Sequence, residues 1–132
     1  VNISLTTWAQ EYANIVCKDY GIPAPRVIVA SLRDAHKDTG RYFSRSKIIY
    51  LHFRKNGSTT EHTAALLHEL GHYIDHVYHG REGGRHDTFQ TLIVESLYRS
   101  YGIPVKVAMF IEEIFPHSWK TVGWGNHNKR RK

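Results

Sequence analysis

The stretch AALLHELGHYIDHVYHG (64–80) constrains this chain more than any other. It has no proline, and its only glycines are Gly71 and Gly80, so it reads as a helix. An α-helix turns about 100° per residue. Leu66, Leu67, Leu70, Tyr73, Ile74, Val77 and Tyr78 then fall on one side, with the period of a core-facing surface. His68, His72, His76 and His79 fall together on the other side. A helix divided in this way sets its histidines apart for a polar use.

Two imidazoles at i and i+4 lie one turn apart and can converge on one ion at ~2.0–2.1 Å from each nitrogen. His68 and His72 have that spacing, and Glu69 sits at the edge of their sector, placed to reach a metal-bound water. The result is H-E-x-x-H, two zinc ligands and a general base. A chain with ten histidines produces the bare motif in about four shuffles per hundred, so it needs a third ligand. His76 is two turns from His68, ~12 Å along the axis, too far to share one ion comfortably. The bland alternative is a solvated helix face.

The chain offers a way back to the pair. Gly80, Gly83 and Gly84 allow a reversal after the helix. Asp87, with Gln90 three residues on, then reads as the start of another helix, similar to a capping box. His86 stands at that start, fourteen residues after His72, where it can complete the site.

His68-Glu69-Leu70-Gly71-His72 followed by His86-Asp87-Thr88-Phe89 resembles the SprT-like (Spartan-type) zinc metallopeptidases over roughly residues 40–100. The family pattern is H-E-x-x-H followed by His-Gly-x-x-aromatic. The resemblance implies one catalytic zinc held by His68, His72 and His86, with Glu69 as general base. Phe89 matches the aromatic position, and Asp87 stands where the family has glycine. It further implies a hydrolase acting on peptide bonds, with DNA-associated proteins among its substrates. The chain has one cysteine, so the four-cysteine zinc ribbon of many such proteins is excluded. His-Glu-Leu-Gly-His-Tyr also resembles the ImmA/IrrE peptidases, which cleave repressors. That reading moves the third ligand to Glu95, although Val94-Glu95-Ser96 lacks their Ala-Asn element.

The remaining sequence predicts one helix-rich α+β domain over 1–116 with a small sheet, and the resemblance implies a minimal zincin-like metallopeptidase fold with that sheet packed on the metal helix. Residues 117–132 read as a basic, aromatic-containing tail. Helix 6–20 comes first, then strand 26–30 and a hairpin over 40–53. Its second arm, 47–53, is the expected free edge for an extended substrate. Thr59 or Thr60 is expected to cap the metal helix. Helices follow at about 88–101 and 104–115, the last opened by Pro104. "YGIP" occurs at 20–23 and 101–104, and both copies read as helix stops. Asp75 is a candidate acceptor behind a ligand ring. Cys17 is expected to pack as a small hydrophobe.

No apolar run of about 18 residues exists, so no membrane span is expected. The opening residues lack the order of a signal peptide. A lone cysteine fits a reducing compartment, and the expected setting is cytoplasmic with nucleoid association, as a monomer. The net charge of +6 is the footprint of a polyanion partner. Trp119 and Trp124 lie among tail cations as a single-strand binder would place them. A third class of function therefore stands beside the two peptidases, a non-catalytic zinc-stabilised DNA-binding module.

Overall fold

A computed structural model describes residues 1–82 and 86–113. Its elements are α1 (Ile3–Asp19), β1 (Arg26–Arg33), β2 (Thr39–Phe43), β3 (Ile48–Arg54), α2 (Thr59–Val77), α3 (Thr88–Ser100) and α4 (Val105–Glu112). Among the described residues, four helices and a three-stranded mixed sheet make an α+β fold. The expected order of elements holds, and their ends move by a few residues. The tail, with Trp119, Trp124, His117 and His127, lies outside the described residues.

The sheet order is β1-β3-β2, with β3 parallel to β1 and antiparallel to β2. This corrects the expected edge. The arm expected over 47–53 is the central strand β3 (Ile48–Arg54), and β2 is the outer strand beside the histidines. Asp38, 2% exposed, explains how the β1–β2 connection crosses the end of β3. Its carboxylate accepts the Arg54 backbone N–H at 2.5 Å and pairs with His62 at 2.5 Å, while its own N–H donates to Glu61. Glu61 in turn pairs with the Arg54 guanidinium. These pairings are what make burying Asp38, Glu61 and His62 there tolerable.

The strands alternate. Val27, Val29, Tyr42, Ile49, Leu51 and Phe53 are buried. The alternate positions, including Arg26, Ile28, Arg41, Phe43, Ile48 and Tyr50, are half-buried or exposed. That second face carries arginines around Phe43 and Tyr50, whose rings meet edge to face at 5.6 Å. The three strands contain no Asp or Glu.

Helix α2 is buried nearly all round, because the sheet, α1, α3 and α4 surround it. Its cap is Ser58, in extended conformation, whose hydroxyl accepts the Glu61 N–H at 3.1 Å. Thr59 and Thr60 already lie inside the helix. The twin "YGIP" segments are twin stops. Gly21 and Gly102 have φ of +69° and +73°. Ile22 donates to the Cys17 carbonyl and Ile103 to the Tyr98 carbonyl, the six-to-one bond of a Schellman ending. Cys17 is fully buried, and burial pushes its thiol up to about 12, so it packs as a hydrophobe.

Gly71 sets the distance between α2 and α3. A Cβ there would lie 2.5 Å from Val94 Cγ2, and buried Val94 is stiff about χ1. Overpacking of this kind costs about 1–3 kcal/mol, more than the ~1 kcal/mol that alanine gains over glycine in a helix. Gly71→Ala is therefore expected to lower the melting temperature by several degrees. Val94→Ala added to it should recover part of that loss, and an unchanged or higher melting temperature for Gly71→Ala would refute the packing argument.

Candidate metal centre

Helix α2 supplies His68 and His72 from successive turns, and the start of α3 supplies His86. The structure brings these three together: one ring nitrogen from each lies within 4.8 Å of the others. His72 Nε2 and His86 Nε2 are 3.1 Å apart. Ligands at 2.0–2.1 Å from a tetrahedral ion are separated by about 3.3 Å, so the pair already has close to the required spacing. His86 reaches the site as expected, because Asp87 caps α3 by accepting the Gln90 N–H at 3.0 Å. The capping box is only half formed, since the Gln90 side chain is buried near Gly71.

The protonation state of His72 suits a metal. Burial, reinforced by His68 and His86, pushes the His72 imidazolium down to about 3, so this ring stays neutral with a lone pair to offer. Burial also disfavours charge on His68, but the Glu112 carboxylate outweighs it and His68 is raised. His68 Nδ1 lies 2.6 Å from Glu112 Oε2. Glu112 is buried, which alone would raise its carboxyl, yet His68 and the Tyr98 hydroxyl hold it below the usual range. Tyr98 donates to the same oxygen at 2.5 Å. An ionised Glu112 2.6 Å from Nδ1 favours a proton on that nitrogen, so Nε2 is the His68 atom left to face an ion. A carboxylate behind a ligating imidazole fixes both its tautomer and its ring orientation.

Sequence reasoning missed Glu112 and Tyr98, and it cast Asp75 in the role that Glu112 fills. Asp75, 1% exposed, instead faces Arg81, whose Nε is 2.8 Å from Oδ1. The one signal for Glu112 was an acid ending a mostly apolar helix, VKVAMFIE. Glu112→Gln is expected to weaken metal binding about 10–100-fold, measured by chelator competition. An affinity equal to wild type would show that Glu112 does not orient His68.

Glu69 lies beside the cluster and lines the cleft between β2 and α4. Burial pushes its carboxyl up to about 7; Glu112 adds to the rise, while His68 and the Tyr42 backbone N–H oppose it. Gly40 lets β2 approach this carboxylate, since a Cβ there would sit 2.9 Å from Glu69 Cγ. Lys37 closes one end of the cleft by donating to the Ile111 carbonyl at 2.8 Å.

The other candidates go elsewhere. Glu95 is buried on α3 and pairs with Arg99 at 3.0 Å, one turn along the same helix. His76 Nδ1 is 2.8 Å from the Tyr42 hydroxyl. His79 packs edge-on against Tyr78 and Phe89. His52 meets the Ser31 hydroxyl at 2.8 Å, and His62 stacks on Phe53. Among the described residues no helix is long and apolar enough to cross a membrane. In comparisons with known proteins, no family model, curated protein or solved structure matches this chain.

Proposed function

We propose that the chain is a zinc-dependent metallopeptidase of minimal zincin type, with His68, His72 and His86 as ligands of one ion and Glu69 as general base. One observation carries this reading. Three imidazoles converge, two from α2 and one from the residue before the α3 cap, and the buried Glu112 carboxylate lies 2.6 Å from Nδ1 of His68. A solvated helix face has no use for such a carboxylate. Bound there, zinc would make hydroxide available at neutral pH and polarise a carbonyl oxygen.

The protein's own groups do the rest. Glu69 accepts the proton of the attacking water and delivers it to the leaving amine. Its environment, buried and near neutral in proton affinity, suits a group that must both take and give a proton. A substrate strand would lie along β2, the outer strand that borders the cleft. The repressor-cleaving alternative needs Glu95 at the ion, and the Glu95–Arg99 pair speaks against it.

The basic second face of the sheet, with Phe43 and Tyr50 among arginines, supports a substrate that is protein held on DNA. The test has two arms. Purified protein should carry one zinc per chain and cleave casein, with activity lost to a chelator and restored by zinc. Binding to single-stranded DNA should weaken steeply as salt rises, and Arg33→Gln with Arg41→Gln should flatten that slope. Absence of zinc and cleavage would refute the peptidase. Absence of binding at low salt would remove the DNA half alone.

A further inference from the structure

The site has an asymmetry. His68 and His72 share one buried helix, but His86 is exposed and follows a stretch of sequence with three glycines, Gly80, Gly83 and Gly84. Glycines enlarge the conformational freedom that must be lost when a segment is ordered. A third ligand on such a segment binds tightly only if something fixes it beforehand.

Arg81 is placed to do this. Its Nη2 donates to both carboxylate oxygens of Asp87, at 2.8 and 2.7 Å. Its Nε lies 2.8 Å from Asp75 Oδ1, with an alignment poor enough that charge rather than direction holds this contact. The Arg81 backbone N–H also donates to the Asp75 carbonyl at 3.0 Å. The guanidinium lies 4.4 Å from the centre of the Phe89 ring. Asp75 is on α2, three residues past His72. Asp87 follows His86 directly and caps α3. One planar cation thus ties the ligand helix to the residue beside the third ligand.

We propose that Arg81 is the positioning residue of the third metal ligand: by bridging Asp75 and Asp87 it holds His86 against His72 before the ion arrives. This rests on the metal reading above. It assigns a task to three charged residues that neither metal binding nor proton transfer uses directly. It also explains why arginine suits this position, since the guanidinium brings two separate nitrogens, Nε and Nη2, up to two carboxylates at once, where lysine has a single nitrogen. Asp87 fills two roles, cap and anchor, at a position where glycine could fill neither by its side chain.

The test uses the full chain and zinc affinity by chelator competition. Arg81→Lys keeps a cation near buried Asp75 but loses the fork. Asp87→Ser keeps a good helix cap but is too short to hold Arg81. Each is expected to weaken zinc binding roughly tenfold with little change in the melting of the metal-free protein. With Co²⁺ in place of zinc, their visible spectra should shift toward that of His86→Ala. In the His86→Ala background neither substitution should weaken binding further, because the ligand it positions is gone. Should Arg81→Lys fail to fold, Asp87→Ser carries the same comparison. Wild-type affinity in both variants, or an equal loss with and without His86, would overturn the proposal and leave the metal reading standing. A wild-type chain that binds no metal would overturn both.

Discussion

Glu69→Gln is expected to abolish peptide hydrolysis while leaving the metal bound. The amide keeps the shape of the side chain, and β2 lies directly on the Glu69 stem at Gly40, so the substitution disturbs little packing. An acceptor oxygen remains for the Tyr42 N–H. What disappears is a group that can take a proton. General-base catalysis contributes roughly 10²–10⁴-fold, and loss on that scale takes a slow peptidase below detection. Casein cleavage should be followed beside zinc content by elemental analysis. Cleavage at the wild-type rate would remove Glu69 from the mechanism. If the wild type itself cleaves nothing, with or without DNA, the zinc-stabilised binding module becomes the better account.

Loss of metal in His72→Ala should be the largest effect on binding. His72 is buried, neutral and 3.1 Å from its His86 partner. Disturbing a residue that merely orients a ligand costs about 10–100-fold in affinity. Removing the ligand itself should exceed the upper end of that range. His86→Ala should follow His72→Ala. His76→Ala and His79→Ala should keep wild-type affinity, since those rings are committed to Tyr42 and to Tyr78 and Phe89. Glu95→Gln should also keep it. Zinc retained in His86→Ala and lost in Glu95→Gln would exchange the two third-ligand assignments and favour the repressor-cleaving reading.

Much of the fold was legible because it is local. The helix stops at Gly21 and Gly102, the Asp87 cap and the alternation of β3 all follow from short-range rules. The pairing of His68 with His72 is helical arithmetic. The order of the strands was not legible. β1 and β3 are parallel, and the Asp38 cluster that carries the chain across joins residues up to 24 apart in sequence. Nothing in a hairpin's pattern says that its second arm will be central. Glu112 escaped for a similar reason: it lies 44 residues from the ring it holds, on a helix whose other residues are mostly apolar. Asp75 misled because nearness in sequence was taken for nearness in space, and the real partner of that carboxylate lies beyond the helix end.

The two margins of the sheet are treated differently. Along β1, Thr6 and Gln10 of α1 accept the backbone N–H groups of Val29 and Val27, and Asn2 donates to the Val29 carbonyl. Two side chains and one backbone N–H have taken places a neighbouring strand would occupy. Fibrillar growth requires every molecule to offer two sticky margins, one for the copy above and one for the copy below. A sheet with one margin sealed can accept a single guest strand, or meet one other copy face to face, and then it stops. Contacts from α1 along β1 therefore leave the open margin of β2 without the second margin that stacking into a filament needs.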